Sequence, residues 1–415
     1  MTAYGDLTRG PAWEYRVMRA AFLSGWYVRR GINLRERVRS SPQTMAEIDI
    51  LGLGFDPALT PRTMVGECKD RKGGTKEADR IVWVLGLSRL LRVDHVLFAK
   101  RSLTDATVQF AQPVGVLLWD QAAVQHIEQR FDLSPDSGYF GSANIGLQED
   151  VLLPLRKASA LGNRPMRAAW DYLSGAFWYH PTPTRTKTLA GYFEALLGAR
   201  SLSPVARSSF VAEGLIALLV SAYATAGQLV RHSPARGDQL QETAFASGVA
   251  DAAALRELAA RADDYYQDAL QKASRRGGAG ASELRVPRLA NTIAEPPAWM
   301  SGYVALARRL GETPLLAGDT LRYADIVLFE HLLAENPIDA LLRSVLPSDI
   351  AALRSAVQLA GLFLQRVWGV DDPLLDRLVA LGPEKAARRR ARVEPADTSK
   401  TKSQRDAETS LFDPA

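Results

Sequence analysis

Strand-like alternation of polar and apolar residues is confined to the first 125 residues of this chain; beyond about residue 150 the apolar pattern is helical. Any sheet must therefore come from the N-terminal part. Residues 13–26 carry Val17, Ala20, Ala21 and Leu23 at helical spacing, and Gly25 marks the change to a strand over 27–38, interrupted by Gly31. Residues 46–51 alternate as a half-buried strand should, Gly52, Gly54, Asp56 and Pro57 read as a turn-rich loop, and 64–69 alternate again. A helix is expected over 78–93, a short apolar strand over 96–99, a helix over 104–111 capped by Thr104 or Ser102, and a buried strand over 114–119. Helix, three strands, helix, strand, helix, strand gives an α/β domain over 1–130, a mixed sheet flanked by helices.

The remainder reads as an all-helical domain over 150–382 of unassigned role. Its Ala- and Leu-rich helical patterns cover 186–200, 205–231, 240–275, 299–311, 320–345 and 348–381. A flexible loop is expected near 275–297, where Gly277, Gly278 and Gly280 cluster, and a disordered charged tail over 383–415. The most apolar stretch, 214–226, lies between Glu213 and Gln228; it is too short for a bilayer and reads as a buried helix, so no membrane association is expected. Cys68 is the single cysteine, which leaves no disulfide framework within the chain. The N-terminus lacks the basic start and apolar core of a secretory signal, so a soluble cytoplasmic protein is expected. A formal net charge of +5 is compatible with a polyanionic partner.

The chemistry-bearing residues lie on the two alternating segments. Side chains two apart on a strand share a face, so Glu67 and Lys69 stand together while Cys68 points into the opposite layer. Asp49 is on the preceding segment, and the glycines and prolines between allow an antiparallel pair that sets it beside Glu67. Two carboxylates and a cation at one point suit a hard divalent ion and phosphodiester hydrolysis, with Lys69 orienting the attacking water or stabilising developing charge. Glu14, on the first helix, can reach the same cluster, and Glu47 faces the same way as Asp49. The histidines His95, His126, His180, His232 and His331 have no metal-ligand spacing, and no glycine-rich phosphate loop precedes a Lys-Ser or Lys-Thr pair.

The run Glu47-Ile48-Asp49-Ile50-Leu51, then Val65-Gly66-Glu67-Cys68-Lys69, resembles the PD-(D/E)XK, or restriction-endonuclease-like, nuclease superfamily, and within it the Mrr-type catalytic domain. The later stretch 96–119 is similar to the strand-helix-strand that follows in that group, and the likeness covers residues 10–122. No proline directly precedes Asp49, a departure at a variable position. The resemblance implies Asp49 and Glu67 as metal ligands joined by the Cys68 carbonyl, Lys69 as the catalytic lysine, and Glu14 as an accessory ligand. It implies an Mg2+ (or Mn2+)-dependent endonuclease acting on DNA, with RNA not excluded, in a defence or repair system. A homodimer pairing two active sites follows by analogy, and the helical domain is expected to recognise the target, hold a dimer together or bind a protein partner.

The rival readings are a degenerate nuclease fold serving as a nucleic-acid-binding or scaffold protein, and a surface ion pair on an exposed hairpin. Arg71, Lys72 and Lys76 come after the second alternating segment and can grip a phosphate backbone, or form an ordinary solvated loop. Residues 408–412, ending in Leu411 and Phe412, resemble peptides that dock on a replication sliding clamp, with Glu in place of the usual Gln; a terminus without a fixed role is the favoured reading there.

Overall fold

The computed structural model describes Leu7 and residues 9–35, 44–70, 77–247, 252–277 and 296–382. The charged tail 383–415 with Leu411 and Phe412, the segment 278–295, and the loop bearing Arg71, Lys72 and Lys76 lie outside the described residues.

Helix α1 (Arg9–Leu23) leads into β1 (Tyr27–Arg35), β2 (Thr44–Phe55) and β3 (Pro61–Lys69), then α2 (Glu77–Leu91), β4 (His95–Lys100), α3 (Asp105–Ala111), β5 (Val116–Trp119) and α4 (Gln121–Gln129). The five strands form one sheet in sequence order; β1, β2 and β3 are antiparallel, whereas β3–β4 and β4–β5 are parallel. This is the mixed sheet with flanking helices that the sequence pattern requires. Thr104 caps α3, its hydroxyl accepting from Thr107 N at 3.2 Å.

The turn between β2 and β3 falls later than the glycines indicate. β2 runs through Gly52 and Gly54, and the chain turns at Asp56, whose carboxylate accepts from Ala58 N at 2.9 Å and Thr60 N at 2.8 Å. Gly52 serves packing instead: a Cβ there would come within 2.8 Å of Met64 Cε and 3.3 Å of Trp26.

The rest is helical: a π-turn, Gly146–Leu152, then α5 (Leu153–Leu161), α6 (Arg164–Leu173), α7 (Thr182–Gly198), α8 (Pro204–Leu229), α9 (Pro234–Ser247), α10 (Ala252–Gly277), α11 (Met300–Gly311), α12 (Ala317–Ile326), α13 (Asp339–Val345), α14 (Ile350–Val367) and α15 (Pro373–Val379). The pattern over 240–275 resolves into α9 and α10, and α10 runs on to Gly277. The pattern over 320–345 breaks at Glu335, which takes a left-handed φ of 58° just before Pro337. Among the described residues α8 alone is long and apolar enough to cross a membrane, and its apolar window is entirely buried inside the protein. It is a core helix, in which each fully buried Leu, Ile, Val or Phe contributes roughly 1.5–3 kcal/mol.

By its contacts the chain divides into Met1–Val379 and Ala380–Ala415. Within the first unit the helices close on the sheet. Asn33 N on β1 donates to Ser174 O at 3.1 Å, and Arg322 Nη1 donates to Phe22 O at 3.0 Å. Gly227 of α8 lets the β2–β3 turn approach, since a Cβ there would stand 2.3 Å from Leu59 O. Beneath β1, Glu213 of α8 takes Arg29 Nη1 at 2.7 Å and Arg156 Nη1 at 2.8 Å. Burial opposes the Glu213 charge, but the two guanidinium groups outweigh it and hold the carboxyl below its ordinary value. Replacing Glu213 by Gln would leave two buried arginines without their counter-ion, and an unfolding midpoint in urea is expected to report a loss of about 3–5 kcal/mol. A loss below about 1 kcal/mol would mean that the cluster is not the joint described here.

Candidate active site

The geometry starts from strand register. Ile50 pairs with Gly66, so the next step along the ladder sets Asp49 beside Glu67. The ladder stops there because the Asp49 side chain enters it: Oδ2 accepts from Cys68 N at 2.7 Å. Glu67 and Lys69 share one face of β3, as their spacing of two demands. Lys69 Nζ lies 2.6 Å from Glu67 Oε1 and 3.6 Å from Asp49 Oδ2, so one ammonium group bridges both carboxylates. Arg80, in the first turn of α2, adds a second cation 3.7 Å from Glu67 Oε1.

Burial sets the electrostatics. The Glu67 side chain is only 3% exposed, and this burial, together with the weaker repulsion from Asp49, raises its pKa against the pull of Lys69 and Arg80. Burial works against the Lys69 charge, but Glu67 and Asp49 prevail and hold the ammonium above its usual value. The Cys68 thiol is pushed far up by burial and then by Asp49, Glu14 and Glu67; it is a packed, protonated side chain rather than a nucleophile.

Glu14 is half-buried on a helix whose other side is locked down. Arg16 and Arg19 of α1 hold Glu128 of α4, each at 2.6 Å and all nearly inaccessible. From this anchored helix Glu14 Oε2 turns to Arg30 Nη1 at 3.0 Å. Its carboxyl is raised by burial and then by Asp49, while Arg30 opposes, so it lies within the field of the cluster without closing on it. The structure thus brings together Asp49, Glu67 and Lys69, with Glu14 one step outside. Glu47 is exposed on β2.

Among the described residues no group of three or more His, Cys, Asp and Glu side chains is gathered as a ligand set. The donors present nevertheless suit a hard cation. Two carboxylates face a point already held by an ammonium, and Glu67 Oε1 is buried without a well-directed hydrogen bond. A cation there would require Lys69 to swing away, a movement its partly exposed side chain permits.

Sequence reasoning passed over Arg30, which ties Glu14 and Glu149 together, and Tyr15, whose hydroxyl donates to Glu149 at 2.7 Å. It also passed over α5 and α6. Asn163 followed by Pro165 is a recognisable start signal for α6: the Asn163 side chain accepts from Met166 N at 3.2 Å. Comparison with known protein families, with curated proteins and with solved structures returns no match for this chain.

Because Glu67 holds its proton above the usual carboxylate range, a cation must compete with the proton for it. Thermal stabilisation by Mg2+ is expected to be small at about pH 5 and to grow toward about pH 8. At roughly 100 times the dissociation constant it should approach about 2.7 kcal/mol, and Asp49→Asn should remove it. A pH-independent shift, or one equal in the variant, would contradict the assignment.

Proposed function

We propose that this chain is a metal-dependent nuclease that hydrolyses phosphodiester bonds in DNA, with RNA the second substrate to be tested, through a restriction-endonuclease-like arrangement of Asp49, Glu67 and Lys69. The observation that carries the reading is the convergence of two carboxylates from adjacent strands on one lysine ammonium. A surface ion pair would not bury Glu67 to 3% exposure beside a second carboxylate, because that arrangement raises the cost of its charge.

Asp49 and Glu67 would hold the Mg2+ or Mn2+ ion, with the main-chain carbonyl of Cys68 as a third oxygen. Bound there, the ion would supply Lewis-acid stabilisation of the phosphate and a water made acidic enough to attack. Lys69, released from its two partners, can donate to the attacking water or to a phosphate oxygen as charge develops. The Asp49 carboxylate is aimed by the Cys68 N–H, which fixes its rotamer. Glu14 is the reserve carboxylate: freed from Arg30, it can accept a hydrogen bond from the water. Pairing of two copies to cut both strands, partner binding by the helices and a place in a defence or repair system belong to the same proposal.

A second reading has its own support: Lys69 closes both carboxylates and Glu14 is tied to Arg30, as in a catalytically silent nucleic-acid binder. Nicking of supercoiled plasmid separates the two. Wild-type protein with Mg2+ or Mn2+ should cut, chelator should stop it, and Asp49→Ala and Lys69→Ala should each lower the rate by ~100-fold or more. Equal cutting by all three proteins would assign the activity elsewhere; no cutting by the wild type would favour the silent binder.

A further inference from the structure

Beside the carboxylate cluster, between β1, the π-turn Gly146–Leu152 and helices α5 and α6, lies an open cleft of ≈ 620 Å³. Asp49, Glu67 and Lys69 do not line it; two of its lining residues, Glu47 and Arg30, neighbour them. Glu47 lines it and sits two residues before Asp49 on the same face of β2; Arg30 lines it and bonds Glu14.

Six arginine and lysine side chains line it against three carboxylates, those of Glu47, Glu149 and Asp171. Arg35 on the wall is paired with Asp171 at 2.8 Å, and Arg30 is shared between Glu14 and Glu149. Lys157 and Arg167, from α5 and α6, are exposed and enter no ion pair among the described residues. At the floor, Arg29 and Arg156 share the single carboxylate of Glu213. The neighbouring Asp325, buried and pushed up to about 7, offsets that surplus only in part. Trp170 supplies an aromatic wall, held by Phe210 at 5.9 Å between ring centroids. A basic groove with an aromatic surface is what single-stranded nucleic acid requires: cations along the backbone and a ring for a base. A paired, stacked base offers no free face to such a ring, so the aromatic wall favours an unpaired strand.

We propose that this cleft seats a single-stranded segment of the nucleic acid, with phosphates on Lys157 and Arg167 and a base against Trp170, beside Asp49, Glu67 and Lys69. The inference deepens the nuclease reading and rests on it for the direction of the strand. The substrate class it names is a strand end, flap or unpaired stretch, the last of which negative supercoiling opens in a closed plasmid, rather than relaxed duplex.

Fluorescence anisotropy on the full chain in EDTA, where metal-dependent cleavage cannot proceed, tests it with a labelled oligothymidylate of about twelve nucleotides. Wild type should bind this probe more tightly than a blunt duplex of equal length. Lys157→Glu with Arg167→Glu should weaken binding at least ~10-fold, and the salt dependence should fall by a slope of about 1.4, two phosphates' worth. Arg309→Glu, an exposed charge outside the cleft, should bind as wild type does. Should the double reversal fail to fold, Lys157→Gln with Arg167→Gln serves with the same slope change. Unchanged binding by the folded cleft variant, tighter binding of the duplex, or no binding of either probe would overturn the proposal. The two readings fail separately: loss of plasmid cutting with intact cleft-dependent binding removes the nuclease, whereas cutting that depends on Asp49 and Lys69 but ignores Lys157 and Arg167 removes the cleft.

Discussion

The antiparallel register of β2 on β3 is the constraint on which the site depends. A slip of one residue would send Asp49 to the other face and leave Glu67 and Lys69 without their companion. The register is held on one side by the turn at Asp56, whose carboxylate gathers two backbone N–H groups, and on the other by Asp49 itself, which takes the N–H of Cys68. Asp49, the residue proposed for metal binding, therefore also terminates the ladder that places it. Gly52 and Gly66 complete the arrangement from within, because a Cβ on either would press on Met64 or Ile50.

A second layer of control comes from the helices. Helix α1 is fixed by the buried Arg16–Glu128–Arg19 cluster, and β1 by the Arg29–Glu213–Arg156 cluster. Each places one glutamate between two arginines, so each fixes orientation more than it adds net stability. Between these anchors Arg30 spans Glu14 and Glu149, and through them links the carboxylate cluster to the basic cleft. The sheet and the helical part are therefore chemically joined: the cations that would guide a substrate come from α5 and α6, and the groups that would cut it come from β2 and β3.

Much of the sheet was legible in the sequence. The strands around Asp49 and Glu67, the helix between β3 and β4 and the Thr104 cap all follow from period and local capping chemistry. The glycines of β2 misled, because Gly52 looks like a turn signal but is required by contact with Trp26 and Met64, partners distant in sequence. The split of 320–345 turned on the single left-handed residue Glu335 before Pro337. The pairing of Glu14 with Arg30 was not legible, since it depends on how α1 crosses β1. Nor was the cleft, whose cations come from strands and helices more than a hundred residues apart.

The central claim is that Asp49 and Glu67 share one divalent cation. Anomalous scattering from crystals soaked in Mn2+ tests it most directly. The account predicts a peak between the two carboxylates at roughly 2.0–2.2 Å from their oxygens, with Lys69 displaced from Glu67. Crystals that bind manganese elsewhere, or that keep Lys69 on Glu67 with no peak at the cluster, would contradict it.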